Sequence, residues 1–322
     1  MSVDRILLVS LDNLGDLVFA SALAPPLRER FPHAALDVWS KQYTADVARL
    51  VPGVRKVIAA DPFWDSAPGR GKGPVRPFVQ SIGDVRHGEY DVAVLAAAPW
   101  RTSAAVAATG IPRRLGLRRR KNRLFLTDAL PDEDRQKPVL EELARLLPPL
   151  GIAPRRLCYR LDRSPLSARR ERLTARLPAP FAALHPFASK RNRCVALPVF
   201  VQLAQRLAER GIGTLWVGSA PELEELRGGS ADPAWRYVDR DSDGSLADSA
   251  AALSMASLFV GHDSGPLHVA GAFGVPVIGI FAPGEPLRTF PQGIGPSRMI
   301  ARPSPDGISV EEILREIDLL GR

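Results

Sequence analysis

The segment Gly261-His262-Asp263-Ser264-Gly265-Pro266-Leu267-His268 puts a carboxylate, a hydroxyl and two imidazoles next to small residues. Ser264 suits a helix N-cap, and Gly265 and Pro266 suit a first turn. A helix start of this kind favours an anion, and small residues let a phosphate approach the backbone. Capping accounts for Ser264 and Pro266 but leaves Asp263 and His268 unexplained, so the segment is a candidate anion site. A second segment, Leu11-Asp12-Asn13-Leu14-Gly15-Asp16, carries two carboxylates. Asp12 is expected to cap the turn. Asp16 falls in a first helical turn, where the dipole lowers a carboxylate's pKa. It can serve as a cap or accept a proton from a substrate hydroxyl, and the residues alone leave both open.

The elements around these segments alternate. Ile6–Val9, Ala35–Trp39, Arg55–Ala59 and Val92–Leu95 read as strands, with a helix from about Gly15 to Phe31. A second alternation starts at Phe181–Leu184, continues with a helix over Pro198–Arg210 and the strand Thr214–Val217, and ends in a helix over Val310–Leu320. Around the opening segment, the apolar run in Ala256–Val260 leads in and Val275–Phe281 leads out, with Gly274 stopping the helix between them. The pattern predicts an α/β protein of two Rossmann-like, doubly wound domains facing a cleft, with ligands at the carboxyl ends of the strands. The boundaries expected are 1–165 and 166–322, with the Arg- and Pro-rich stretch 153–180 as the connection. The last helix is a candidate to pack back on the first domain. Between Asp65 and Pro77 the Gly- and Pro-rich segment Ser66–Pro74 reads as a mobile basic loop without the Gly-Lys-Ser/Thr of a P-loop.

The chain has 322 residues, 45% hydrophobic and 24% charged, which is ordinary for a soluble protein with a sizeable core. Its net charge of +8 favours anionic partners. Two cysteines, Cys158 and Cys194, support neither a disulfide framework nor a cysteine zinc site, and a reducing cytoplasm fits. The N-terminus passes quickly into Asp12 and Asp16, too soon for a signal peptide or membrane span, so any membrane contact is expected to be peripheral.

Leu11–Asp16, followed by Ala22-Leu23 and Arg28-Glu29-Arg30-Phe31-Pro32, resembles the opening of glycosyltransferase family 9, the lipopolysaccharide heptosyltransferases. Gly261–His268 with Gly274-Val275-Pro276 resembles that family's second signature. His185-Pro186-Phe187-Ala188 and Gly218-Ser219-Ala220-Pro221-Glu222 are weaker matches, so the likeness spans nearly the whole chain. The resemblance implies a GT-B fold and metal-independent, inverting transfer, with the acceptor on the first domain and a nucleotide sugar, ADP-heptose, on the second. It makes Asp16 the general base and Asn13 an acceptor contact. It places the donor diphosphate on the amides of Ser264, Gly265 and Leu267, since Pro266 has no N–H. Asp263 is then expected on sugar hydroxyls, with His268, Gly218 and Glu222 in the donor set. The family has a phosphate-binding Lys before a Trp-Pro pair. Here Lys190-Arg191-Asn192-Arg193 stands instead, with no Trp, and either Arg193 or Lys190 takes that role. No cofactor or metal is expected.

Other signals are weaker. Asp239–Gly244 begins like an EF-hand, but position twelve is Ala250. The Asp-x-Asp pattern in the same run fits a capped, solvated loop as well as a metal site. His33 and His87 are expected at the surface, and His185 either faces the cleft or is structural. Arg118, Arg119 and Arg120, with Lys121, Arg123, Arg113 and Arg114, form the densest positive cluster. It is a solvated loop or a contact for an anionic glycan or glycolipid acceptor at the inner face of the inner membrane. Nucleic-acid binding finds no interleaved aromatics to support it. Two alternatives stand beside heptosyl transfer. One is a transferase of the same fold using another activated sugar or a natural-product or protein acceptor. The other is a non-catalytic nucleotide-sugar binding protein.

Overall fold

The computed structural model describes residues 3–65, 71–119, 121–131, 137–177, 179–229, 232, 235–239, 246–284 and 286–320. Its contacts divide the chain into two compact units, Met1–Leu161 and Asp162–Arg322.

The first unit is built on β1 (Arg5–Ser10), β2 (Ala35–Ser40), β3 (Val54–Ala59), β4 (Val92–Leu95), β5 (Arg113–Arg118) and β6 (Asp128–Pro131). All neighbours pair in parallel, in the order β3-β2-β1-β4-β5-β6. β1 is buried from Ile6 to Ser10, which is why it reads as an unbroken apolar run rather than an alternation. The second unit contains β7 (Phe181–His185), β8 (Gly213–Gly218), β9 (Arg236–Asp239), β10 (Leu258–His262), β11 (Val277–Phe281) and β12 (Ser297–Ala301). Its parallel order, β12-β11-β10-β7-β8-β9, becomes the same 3-2-1-4-5-6 when counted from its own first strand. In each sheet the winding reverses beside the first strand, at β1/β4 and at β7/β10, and doubly wound sheets open a ligand crevice at that point.

The helix expected from Gly15 to Phe31 is two helices, Leu14–Ser21 and Ala24–Arg30. Pro25 and Pro26 explain the break: neither ring can continue a helix interior, but both fit the first turn of a new one. The helix Leu197–Glu209 turns Phe200, Leu203, Ala204 and Leu207 onto its sheet, a spacing of three and four residues. Each large side chain buried this way contributes roughly 1.5–3 kcal/mol over its exposed state. Gly211, at φ +74°, ends that helix, and Ile212 N–H donates back to the Leu207 carbonyl.

The loop read over 66–74 ends where expected, at the helix Val75–His87. Its lead-in is pinned: Gly73 N–H donates to the Pro62 carbonyl, and a Cβ at Gly73 would lie 2.0 Å from the Asp61 carbonyl oxygen. Residues 66–70 lie outside the described residues. The basic cluster is less of a loop than expected, because Arg113–Arg118 is strand β5. The last helix, Val310–Leu320, has the bounds read from its periodicity and packs on β12 and on Leu197–Glu209 of its own unit.

Candidate functional site

At the β1 switch point the chain leaves the sheet at Ser10 and enters the helix Leu14–Ser21, with Asp12 and Asp16 on this connection. Asn13 occupies the N-cap position without a side-chain cap bond, and Asp12 accepts the Asn13 N–H at 3.3 Å. Asp16 is open to solvent, yet protein crowds its carboxyl on the other sides. That burial, with the charge of Asp12 next, pushes its pKa up to about 7, against the lowering by the helix start anticipated from sequence. The Asn13 and Asp16 amides and Lys41 pull the other way and lose. Asp12 is raised too, again by burial first. The two carboxyls therefore titrate as a pair.

Lys41, just past β2, was not marked by any motif. It is 1% exposed, lies 2.7 Å from Asp65 and donates to Asn13 Oδ1 at 3.3 Å. Tyr43 completes the frame, donating to Asn13 Oδ1 at 3.3 Å and accepting the Leu14 N–H at 2.9 Å. Asn13, assigned from the resemblance to the acceptor, is thus held by its own unit. A lysine directly after a buried strand, one residue past Ser40, was the available signal.

The basic cluster divides by role. Arg113 pairs with Asp128 at 2.9 Å and donates to the Pro149 carbonyl, and Arg114 donates to the carbonyls of Phe125 and Ile111. These two arginines hold the unit together. Asn122 is fully buried and shapes the turn after β5, donating to the Ala98 and Leu117 carbonyls and accepting the Arg119 N–H at 2.6 Å. That turn brings Arg119 close enough to Asp12 to lower its pKa. Arg118 is exposed at the end of β5. Arg120 lies outside the described residues.

At the β7/β10 switch point, β10 ends at His262 and the helix Gly265–Ala272 begins after two intervening residues. Gly261 is required by space, since a Cβ there would meet the His185 carbonyl oxygen of β7 at 2.8 Å. Ser264 stands at the N-cap position in an extended conformation, but its hydroxyl makes no cap bond. Its Oγ is buried and has no hydrogen-bond partner among the described residues. Pro266 is the second helical residue, so Gly265 and Leu267 supply the open amides beside that hydroxyl. Asp263 Oδ2 accepts from Thr289 at 3.2 Å, and its Oδ1 lies 3.6 Å from Nε2 of the buried His268. Gly274, at φ +79°, ends the helix as anticipated, with Val275 N–H returning to the Ala270 carbonyl.

His262 has a role that its place in the motif did not reveal. Its Nε2 accepts the Val195 N–H at 2.9 Å, so the ring is neutral with its proton on Nδ1. Burial first, then the nearby His185, lowers its pKa to about 3. The ring thereby anchors the end of the loop carrying Lys190 and Arg193. Lys190 is exposed and Arg193 half-buried, and the Arg193 N–H donates to the Lys190 carbonyl at 3.0 Å. His185 is buried and bonded through Nδ1 to the Val217 carbonyl at 2.7 Å, while His33 and His87 are exposed.

Glu222 closes the start of the helix Ala220–Gly229, accepting both the N–H and the hydroxyl of Ser219 at 2.7 Å. It also lines a cavity of about 400 Å³ with Phe187, Arg191, Cys194 and Glu225. Gly218 ends β8 against Phe187, which a Cβ there would approach to 3.2 Å. Asp239 is the last residue of β9, and residues 240–245 of the EF-hand-like run lie outside the described residues. Among the described residues, no three His, Cys, Asp or Glu side chains gather as metal ligands, and no helix is long and apolar enough to cross a membrane.

Comparison with solved structures returns the same architecture over almost the whole chain. A glycosyl transferase family 9 protein from Veillonella parvula DSM 2008 has a TM-score of 0.84 at 17% identity, covering 99% of this chain and 98% of that one. The E. coli ADP-heptose lps heptosyltransferase II has a TM-score of 0.80 at 19% identity, covering 98% of each chain. E. coli heptosyltransferase WaaC with ADP has a TM-score of 0.78 at 18% identity, covering 98% of this chain and 99% of that one. These likenesses establish the GT-B fold. No curated protein matches the chain by sequence. The sequence profile of glycosyltransferase family 9 (heptosyltransferase) matches residues 79–304, more than half of the chain, from the helix that precedes β4 to beyond β12. The chain is therefore a glycosyltransferase and belongs to family 9, the heptosyltransferase family.

Proposed function

We propose that the protein transfers a heptose, with inversion, from a nucleoside diphosphate donor to a hydroxyl of a lipopolysaccharide core or related glycan, at the cytoplasmic face of the membrane holding that acceptor. One observation carries this reading: two sheets of identical strand order each present a chemical group on a connection at the switch point. The first presents Asp16, poised to take a proton near neutral pH, and the second presents an unpartnered Ser264 hydroxyl at a helix start.

The Asp16 carboxylate removes the acceptor hydroxyl's proton as that oxygen bonds to the anomeric carbon. The bond from the anomeric carbon to the diphosphate breaks on the opposite face, and the nucleoside diphosphate leaves with the electron pair. Ser264 Oγ and the Gly265 and Leu267 amides receive the growing negative charge, with Arg193 or Lys190 beside it. Asp263, oriented by Thr289, is left to bind sugar hydroxyls. ADP-heptose is the donor expected from the family, and this chemistry asks for no metal. On the first unit, Arg118 and Arg119 face an anionic acceptor.

The test is a thermal-shift and turnover screen of the purified protein against nucleotide sugars. ADP-heptose should stabilise the fold and be consumed in the presence of acceptor. Stabilisation without transfer to any acceptor would favour a binding protein, and preference for another sugar nucleotide would reassign the donor.

A further inference from the structure

Among the described residues, the large apolar side chains of the first unit that stand open to solvent are Phe63, Val75, Val79, Trp100 and Leu124, between 40% and 89% exposed. They share one rim. Phe63, Val75 and Val79 follow β3, Trp100 follows β4 and Leu124 follows β5, so all lie on connections leaving the carboxyl end of the sheet, the end that also carries Asp16. The helix Val75–His87 packs on the helix Trp100–Ala108, which packs on the turn Arg123–Phe125, so the three connections adjoin.

Exposed cations alternate with these apolar groups: Lys72 and Arg76 around Val75, Arg101 beside Trp100, and Lys121 and Arg123 before Leu124. The Arg101 guanidinium lies 5.3 Å from the Trp100 ring. The acids between β3 and Val75 are engaged, Asp65 by Lys41 and Asp61 by the Gln42 N–H, which leaves Asp84 as the exposed acid of the helix Val75–His87. Apolar tips set singly among lysines and arginines suit a bilayer interface, where aliphatic and indole groups enter the headgroup layer and cations meet anionic lipid. A protein partner would instead favour a continuous apolar centre depleted of charge.

We propose that this rim docks the protein on the surface of an anionic lipid bilayer. The docking rests on the first unit being the acceptor half, and it turns the Asp16 end of the sheet toward membrane-held acceptor. The full chain should sediment with vesicles of phosphatidylethanolamine and phosphatidylglycerol but not with phosphatidylcholine alone, and salt should weaken binding. Leu124→Ser with Val79→Ser should weaken it about tenfold. Each of Arg101→Gln, Lys121→Gln and Arg123→Gln should cost roughly fivefold. Val79, Leu124 and Arg101 are exposed and stand outside the basic cluster, so in those variants transfer to a soluble, delipidated acceptor should not change.

Failure of the wild type to bind the anionic vesicles, or indifference of binding to these variants, overturns the docking. So does a rim variant that changes oligomeric state in light scattering and leaves vesicle binding intact, since the rim is then a protein contact. Sugar transfer without vesicle binding refutes the docking alone, and vesicle binding without sugar transfer refutes the functional reading alone.

Discussion

Lys41 Nζ lies 2.7 Å from the Asp65 carboxylate, and its positive charge also lowers the pKa of Asp12 and Asp16. One buried ammonium therefore serves three carboxyls on two connections. Lys41→Met should raise both pKa values further and move the acid limb of the kcat/KM profile to higher pH. Activity should fall about tenfold at pH 7 and recover toward pH 9. A uniform loss at every pH would mean that Lys41 acts only on the fold.

Asp16→Asn should lower kcat about a thousandfold with donor affinity unchanged. The same change should raise the Tm above pH 7. Asp16 titrates near 7 when folded and near 3.8 when unfolded, so between those values the folded state holds the extra proton and stability falls as pH rises. The gain in the variant should be largest above pH 7 and vanish near pH 4. Thermal melts across that range check the sign.

Ser264→Ala removes a buried hydroxyl that has no partner among the described residues. The fold should lose nothing and gain up to about 1 kcal/mol, while affinity for the nucleoside diphosphate falls on the order of tenfold. Calorimetric titration with ADP, set beside a denaturant melt, separates the two effects.

His262 stays neutral when folded, with its pKa lowered to about 3 from 6.5. Below pH 6.5 the unfolded chain takes up a proton that the folded chain refuses, so stability falls with pH by about 2 kcal/mol at pH 5. His262→Gln keeps an acceptor for the Val195 N–H and does not titrate there. Its stability should be flatter between pH 7 and pH 5 in urea unfolding.

Arg193→Gln and Lys190→Gln test which cation meets the diphosphate. The one in contact should weaken ADP binding by about tenfold or more, and the other should leave it within about twofold. Isothermal titration of both variants decides between them.

Much of the site was legible because switch-point connections begin at fixed places in the pattern. An apolar run ending at Val9 and another ending at Val260 mark where strands stop, and the polar residues that follow belong to the crevice end. The helix broken by Pro25 and Pro26 was legible only in part, since the apolar spacing of Leu17, Ala20, Leu23 and Leu27 continues across the break. Lys41, Asn122 and His262 were not assigned roles because their work depends on partners distant in sequence: Asp65, Ala98 and Val195. The rise in Asp16's pKa was hidden for the same reason, since crowding by surrounding protein outweighs the local helix start.

The repeated 3-2-1-4-5-6 order has an evolutionary consequence. On the proposed reading each unit keeps its chemistry on the connections at one end of its sheet, and the strands beneath serve to hold those connections in place. Drift in the connections after β3 and β5 can therefore retune what the first unit accepts without disturbing the β10 turn, and the reverse holds for the second. Exchange of a whole half between relatives should yield chimeras whose two preferences come from different parents, each inherited intact.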